Sequence, residues 1–414
     1  MLKHKLYLIA TIFFLFTQVF PPLGYVLPVG GAMDLVSFAG VSILLFPNLL
    51  KKRSFFYLIF YGLLTFIYHL LGNVFFGSIE VVIIPFLSMF VSLYIFEYSL
   101  MYDYDYKYTK WVIYLVVGLN VVMALISIPQ LRINPNIIRL MDSVNMRNTD
   151  FVASNYRLLV TYATLHGLPL LMAPMAFLIR KLFSTNKTIC YFWLFSIVVF
   201  YVLLAMGNAA TAFLIASLSI AISIFFYMEK FTRKNIVKLV FFAILGLFLA
   251  KPSVLIPVAD FAQSFMPDNG ATYSRIEELK VSMIYGEAEG DLEARQELYG
   301  NSQALFWESP LIGTQTPEKI SRHTWIWDRL ACFGIILITP LILLLFIHFK
   351  RAYQSLAHTK VTYSISIVLL MILLYYKNDF EIGTWLYAFT ALPMLCRYID
   401  YIIDRPKDKK SLFK

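Results

Sequence analysis

The sequence predicts an all-α polytopic membrane protein, and two observations support that fold class. Of its 414 residues, 59% are hydrophobic and only 14% are charged, which leaves too little polar surface for a soluble protein of this length. Apolar runs of about 17–25 residues recur from end to end, and each is long enough to cross about 30 Å of hydrocarbon. Residues 1–414 are therefore predicted to form a single integral membrane domain with about twelve transmembrane helices.

The apolar runs locate the individual spans. In chain order they are predicted at residues 6–26, 33–50, 54–72, 79–99, 110–128, 158–179, 188–206, 210–228, 236–251, 329–348, 361–377 and 383–399. The first run is long and no A-x-A-like cleavage site follows it, so we expect a first span rather than a cleaved signal peptide. Twelve spans place both termini on one side of the membrane.

The distribution of charge predicts that this side is the cytoplasm. With both termini inside, 23 of the 35 Lys and Arg residues lie in cytoplasmic segments, as the positive-inside rule requires. The net charge of +10 is explained in this way and does not indicate nucleic-acid binding. The inner set holds 17 Lys and 6 Arg, whereas the outer set holds 4 Lys and 8 Arg. Because Arg binds phosphate in a bidentate manner, this bias favours an anionic ligand at the outer face.

Two outer loops are long, and they cover residues 129–157 and 252–328. In the second loop, "SRIEELKVSMIY" (274–285) has the apolar spacing of an amphipathic helix. A further helix is predicted over 291–308, "DLEARQELYGNSQALFWE", ended by Ser309 and Pro310. We expect these helices to lie on the membrane surface between spans nine and ten.

The sequence contains no nucleotide-binding motif, neither GxxxxGK[ST] nor a GxGxxG after a strand. The short, basic inner loops leave no room for an ATP-binding domain, so any chemistry is expected outside. An enzyme there needs a substrate that is already activated, such as a sugar on a lipid diphosphate. Its site would then combine fixed cations for the leaving phosphate with a histidine base for the acceptor hydroxyl.

Five outer residues fit those roles, and each also has a structural interpretation. Arg157, at the start of the sixth span, fits an interfacial arginine. Arg275 and Arg295 lie on the predicted surface helices, where they fit side chains that form salt bridges on a solvent-exposed helix face. Arg322 and His323 precede two tryptophans that fit an aromatic belt.

The remaining polar residues give weaker signals. Asp379 and Glu381, in the last outer loop, are candidates for binding sugar hydroxyls, or are simply loop charges. His4, His348 and His358 are interpreted as solvated cytoplasmic side chains. The carboxylates show no HExxH or DxD spacing, so neither a metal nor another cofactor is predicted.

Residues 295–335 resemble the signature region of the bacterial O-antigen polymerase and O-antigen ligase superfamily. In that superfamily an Arg is followed by an aromatic-rich helix and then by a glycine turn. A His-Asn pair comes next, at the start of a span that ends in Gly-Ile or Gly-Leu. The corresponding parts are Arg295, "QALFWESPLIG", His323 and "RLACFGII". The number of spans and the late outer loop also match. The sequence departs from the pattern at Gln315, in place of a second glycine, at Thr324, in place of the Asn, and at Asn208, where an Arg is common.

The resemblance implies a glycosyltransferase that polymerises undecaprenyl-diphosphate-linked oligosaccharide repeat units at the outer, periplasmic face of the bacterial inner membrane. It implies that Arg157, Arg275 and Arg295 bind the donor diphosphate, that Arg322 adds charge, and that His323 orients or deprotonates the acceptor. The donor, the acceptor and the bilayer are then the partners, and a polysaccharide chain-length regulator is a further candidate. A ligase of the same fold and a flippase of lipid-linked sugars are the alternatives, although no repeat of the kind found in transporters is visible.

Overall fold

The computed structural model of the chain describes residues 2–20, 32–70, 80–133, 137–138, 160–183, 187–207, 210–225, 237, 252–264, 271–285, 291–314, 320, 324–376 and 382–404. Throughout these ranges the regular structure is helical, without a strand. The α-helices are α1 (Leu2–Val19), α2 (Ala32–Leu45), α3 (Arg53–Leu70), α4 (Glu80–Tyr102), α5 (Lys107–Ile133), α6 (Tyr162–Gly167), α7 (Pro169–Leu182), α8 (Lys187–Met206), α9 (Ala210–Phe225), α10 (Pro252–Gln263), α11 (Ala271–Tyr285), α12 (Asp291–Glu308), α13 (Trp325–Gln354), α14 (Lys360–Tyr376), α15 (Ile382–Leu386) and α16 (Leu392–Asp404).

The all-α fold class is confirmed for the described residues. Five helices, α3, α4, α5, α8 and α13, are long and apolar enough to cross a membrane, and α2, α9 and α14 are shorter apolar helices. Helices of this composition support a membrane protein, because a helix satisfies its own backbone polar groups in lipid. The predicted ninth span, 236–251, lies outside the described residues except for Val237. The total of twelve spans and their direction stay predictions.

Both helices predicted in the second long loop are present. The helix expected over 274–285 is α11 and begins three residues earlier, at Ala271, while the helix expected over 291–308 is α12 with the same bounds. α10 packs against α11, α11 against α12, and α12 against α13. α12 therefore links α10 and α11 to the bundle.

The bundle core centres on α7, which packs against α8, α9, α14 and α16. Large side chains fill it, among them the fully buried Trp193 and Trp385. Polar side chains join helices that are distant in sequence. The Tyr387 hydroxyl donates to Oδ1 of Asn120 over 2.7 Å, and the Ser366 hydroxyl donates to the carbonyl of Leu170 over 3.0 Å. Such interhelical hydrogen bonds fix the relative positions of apolar helices.

At one end of the bundle, carboxylates cap the starts of helices. Asp103 accepts the N–H of Tyr108 over 3.0 Å and the N–H of Thr109 over 2.7 Å at the start of α5. Asp400 of α16 accepts three successive N–H groups just before α14, those of residues 357–359. These groups have no partner inside their helices, so the carboxylates supply the missing acceptors. We call this end the capped end.

The capped end also buries two charged side chains within helices. Glu97 of α4 is completely buried and pairs with Nη2 of Arg351 on α13 over 2.8 Å. Arg397 of α16 is buried as well, and its Nη1 donates to the Ser99 hydroxyl over 2.9 Å. The ion pair links α4 to α13, and the hydrogen bond from Arg397 to Ser99 links α16 to α4. Separating either contact would leave a buried charged group without its partner.

The expectation of solvated cytoplasmic histidines is wrong for His348, while His4 and His358 are partly exposed. His348 is completely buried and its ring contacts the rings of Phe96 and Phe389. The Nδ1 atom of His4 lies 2.8 Å from the Tyr98 hydroxyl. Both histidines lie on helices whose buried faces are rich in aromatic rings, and the imidazoles pack among those rings. The third, His358, is partly exposed and pairs with Asp404 over 2.8 Å.

Candidate functional site

A tight turn connects α12 to the segment that leads into α13. α12 ends at Glu308, and the Gly313 N–H donates to the Ser309 carbonyl over 3.0 Å. Gly313 has φ +85°, a left-handed conformation that glycine adopts without steric cost. The chain therefore turns back onto α13 at Gly313 instead of extending away from the bundle.

The turn packs against a break in α13. Gly334 has φ 62° and ψ −179°, which interrupts the helix between Phe333 and Ile335. Three backbone hydrogen bonds cross from the turn to the break: Thr314 N–H to the Ala331 carbonyl over 2.7 Å, Ile335 N–H to the Pro310 carbonyl over 2.8 Å, and Ile336 N–H to the Leu311 carbonyl over 3.1 Å. Polar backbone groups released by the break are thus satisfied by the turn. We call residues 310–314 and 331–336 the junction.

Both glycines of the junction are required by the close approach of the two backbones. A Cβ atom on Gly313 would overlap the carbonyl group of Cys332, and one on Gly334 would overlap the carbonyl group of Leu311. The obstructing atoms belong to the main chain and cannot rotate away. The sequence "SPLIG" and the sequence "CFGI" therefore form one structural unit.

A buried carboxylate holds α12 against the start of α13. Asp328 is completely buried; its Oδ1 accepts the Ser302 hydroxyl over 2.6 Å and its Oδ2 accepts the Thr324 N–H over 3.0 Å. Hydrogen bonds to a charged acceptor are about twice as strong as those between neutral groups. Asp328 thereby holds α12, through Ser302, and Thr324, the residue just before α13, at the same point. We call this arrangement the Asp328 bridge.

An apolar cluster surrounds the bridge and the junction. It consists of Leu305, Phe306, Ile320, Ala331, Cys332 and Phe333, all buried. The Trp327 ring lies 6.0 Å from that of Phe306, and the Arg329 guanidinium lies 5.6 Å from the centre of the Phe333 ring. From the neighbouring α3, the Tyr68 hydroxyl comes within 3.4 Å of the Ile312 and Thr314 carbonyl oxygens. Both junction glycines and Thr314 are thus buried, whereas the side chains of Leu311, Ile312, Ile335 and Ile336 are exposed.

The residues predicted to form the site fall largely outside what the structure describes. Arg157, Arg322, His323, Asp379 and Glu381 lie outside the described residues. The backbones of Arg275 and Arg295 belong to α11 and α12, and their side chains lie outside the description. Their predicted roles stay predictions.

Two of these predicted residues are nevertheless close in sequence to the Asp328 bridge. Arg295 precedes Ser302 by seven positions on α12, about two helical turns. His323 immediately precedes Thr324, whose N–H is held by Asp328. The helix that carries Arg295 and the segment that carries His323 are therefore anchored to one buried carboxylate.

α10 and α11 contain a second polar cluster. The Lys280 ammonium lies 2.7 Å from Asp260 and 2.7 Å from Glu277, and it donates to the Gln263 side chain over 3.0 Å. Hydrogen bonds from Lys280 and Gln263 lower the pKa of the Glu277 carboxyl below its ordinary value. This cluster joins α10 to α11 and contributes to the support of the helix pair next to α12.

Asp328 and Ser302 were not identified from the sequence. The sequence signal was an Asp, followed by Arg329, in the apolar start of a span, "WIWDRLACF". A carboxylate at such a position is costly unless it is hydrogen-bonded, so it marks a buried polar contact. The described residues hold no group of three or more His, Cys, Asp or Glu side chains suited to a metal ion.

The chain matches no known family model, no curated protein and no solved structure.

Proposed function

We propose that the protein is a glycosyltransferase that polymerises undecaprenyl-diphosphate-linked oligosaccharide repeat units into a surface polysaccharide, such as O-antigen, capsule or exopolysaccharide, at the outer face of the inner membrane. The acceptor hydroxyl oxygen attacks the anomeric carbon of the donor glycan. The bond from that carbon to the diphosphate breaks, and undecaprenyl diphosphate leaves with the bonding electrons. Because the leaving group is already activated, the reaction consumes no nucleotide.

The observation that supports this proposal is the Asp328 bridge next to the junction. It anchors the two segments on which this chemistry would depend, the one with Arg295 and the one with His323. A transferase of this kind needs preorganised charge and a fixed base, because positioning supplies much of the rate enhancement. A buried carboxylate shared by both segments provides such preorganisation.

In this proposal each residue has a distinct role. Arg295 stabilises the negative charge that develops on the departing diphosphate, with Arg157 and Arg275 binding the same group and Arg322 adding charge beside it. His323 accepts the proton of the acceptor hydroxyl. Asp379 and Glu381 bind sugar hydroxyls.

Asp328 is a positioning residue in this scheme. It holds Thr324 and Ser302 in place and does not contact the reacting atoms.

The test is complementation of a deletion strain, with lipid-linked and surface glycan separated on gels. The wild-type gene is expected to restore a ladder of chain lengths, whereas Arg295→Ala and His323→Ala are expected to leave single repeat units at normal protein level. The matched controls are Arg132→Ala, an exposed arginine at the end of α5, and His358→Ala, which lies at the capped end. Both controls should give normal ladders. Normal ladders from Arg295→Ala and His323→Ala would refute these assignments.

The same strain separates the alternative functions. Single repeat units on surface lipid in the deletion strain indicate a polymerase. Finished polymer that accumulates on the carrier lipid indicates a ligase instead. Repeat units that remain on the carrier at the inner face of the membrane indicate a flippase.

A further inference from the structure

A groove separates α13 from α14 on the side of the bundle. It has a volume of about 650 Å³ and extends along α13 from Trp325 to Tyr353. This volume lies within the range of about 300–1,000 Å³ that is typical of small-molecule sites. Its deepest side chains are buried, among them Ile338, Leu345 and Leu374.

The rim of the groove is exposed and apolar. Ile342 and Phe346 on α13 and Val368 and Met371 on α14 are each more than one third exposed. A cleft with a buried floor and exposed apolar edges differs from a flat helix face, because an inserted chain would contact side chains on both sides. The part between Ile338 and Tyr353 covers fifteen residue steps along α13, which is about 22 Å. That length exceeds half of the roughly 30 Å hydrocarbon core, so the groove accommodates one extended acyl chain.

The groove is charged at one end. Lys350 lines it there, with its ammonium 5.7 Å from the centre of the Phe346 ring. The Lys360 ammonium lies 5.4 Å from the centre of the ring of Tyr353, which also lines the groove. Arg351 is adjacent in sequence but pairs with Glu97. Two lysines, one on each helix, therefore frame the same end of an apolar cleft, and they belong to the segments predicted to be cytoplasmic.

We infer that this groove binds an anionic glycerophospholipid of the inner leaflet, with one acyl chain between α13 and α14 and the headgroup phosphate at Lys350 and Lys360. Basic residues beside a cleft between transmembrane helices attract acidic headgroups. The opposite end of the groove, formed by Trp325, Ile326 and Leu330, is apolar. The positions of Lys350 and Lys360 thus favour a lipid whose phosphate lies at their end of the groove. This inference does not depend on the proposed enzymatic function.

The binding is tested by native mass spectrometry of the full-length protein purified in bilayers of phosphatidylcholine with a minor fraction of phosphatidylglycerol. The wild-type protein is expected to retain phosphatidylglycerol. The double variant Lys350→Ala/Lys360→Ala should retain it on the order of tenfold to thirtyfold more weakly. The matched control is Lys110→Ala/Lys187→Ala, which removes two exposed lysines from other helices of the same predicted face. The control should retain phosphatidylglycerol as the wild type does.

A second variant tests the acyl-chain part separately. Val368→Trp places a large ring on the groove rim and should reduce phosphatidylglycerol retention with both lysines present. Its control is Val198→Trp, at an exposed apolar position of α8 outside the groove. Equal retention by the Lys350→Ala/Lys360→Ala protein and the wild type would overturn the inference. So would equal loss in both lysine double variants, or stronger retention of undecaprenyl phosphate than of phosphatidylglycerol in a competition experiment.

Discussion

The two ends of α13 are held in the bundle by different means. Towards its start, α13 is held by backbone hydrogen bonds between the turn at residues 310–314 and the helix break at Gly334. At its other end, side chains hold the helix in place. Asp400 accepts hydrogen bonds from the N–H groups that precede α14, and Arg351 of α13 pairs with Glu97. Backbone pairing fixes the course of the chain and depends on glycine. Side-chain capping stabilises helix ends and tolerates more variation.

Because of this difference, substitutions at the two ends of α13 should affect stability and function in different ways. The capped end contacts none of the predicted site residues within the described part of the chain, so changes there should affect folding and not glycan transfer. The junction and the Asp328 bridge adjoin the segments with Arg295 and His323, so changes there should affect both folding and glycan transfer. The following predictions test that separation.

The largest effect is expected at Gly334. Gly334→Ala should destabilise the protein by more than about 3 kcal/mol, because a strained backbone conformation and an overlap with the Leu311 carbonyl combine. The measurement is the thermal unfolding midpoint of the purified protein in detergent, together with its level in the membrane. Gly300→Ala is the control, since it lies in α12 with no atom near the added Cβ, and it should be neutral or slightly stabilising. An unchanged midpoint for Gly334→Ala would contradict the description of the junction.

A smaller effect is expected from the ion pair at the capped end. Arg351→Ala should cost about 2–3 kcal/mol, below the usual range for fully buried pairs because the Arg351 side chain is 36% exposed. The loss arises because Glu97 remains buried without its partner. The double variant Glu97→Gln/Arg351→Ala should recover part of this stability, which a double-mutant cycle of unfolding midpoints measures. Strictly additive effects would show that the pair is not coupled.

Asp400 and Asp328 provide a direct comparison of the two ends. Asp400→Ala should reduce stability by about 1 kcal/mol through loss of a helix cap and leave the glycan ladder normal. Asp328→Asn should shorten the ladder even where its protein level is normal, because the positions of Ser302 and Thr324 are no longer fixed by a carboxylate. Ser302→Ala, which removes one arm of the bridge, should have an intermediate effect. If Asp400→Ala and Asp328→Asn shorten the ladder equally, the two ends do not differ in function.

The smallest effect concerns the contact between α10 and α11 and depends on pH. The pKa of Glu277 is lowered in the folded protein, so its interaction with Lys280 contributes stability above the ordinary Glu pKa of 4.5. That contribution is lost as the pH falls through the lowered pKa. Proteolysis between α10 and α11 should therefore accelerate on acidification, and the variant Glu277→Gln should show a weaker pH dependence. An identical pH dependence in both proteins would exclude Glu277 as the cause.

Much of the helical structure was predictable from the sequence. The sequence predicted α12 with the bounds that it has, including its end at the Ser309–Pro310 stop, and most described residues of the apolar runs are helical. The breaks were not predictable. The expected single span over 158–179 is divided at Leu168, where Pro169 begins α7. The expected span over 329–348 belongs to the longer α13 and breaks at Gly334, because a glycine in an apolar run gives no sign that a distant turn packs against it.

The candidate site was predictable only in part. Composition and charge indicated the segment with Arg295, Arg322 and His323, since a predicted outer face rich in arginine has a simple chemical interpretation. The Asp328 bridge depends on a contact between residues 26 positions apart, and no local pattern reveals it. The burial of Glu97 and His348 was missed for the same reason. Side chains within spans are buried or exposed according to the packing of distant helices.

The most direct test of the central claim is reconstitution of the full-length protein in liposomes with undecaprenyl-diphosphate-linked repeat units and no nucleotide. We predict products longer than one repeat unit, together with release of undecaprenyl diphosphate. The variant His323→Ala should form neither product, and His358→Ala should form both. Donor that remains unconverted by wild-type protein with a normal unfolding midpoint would contradict the claim.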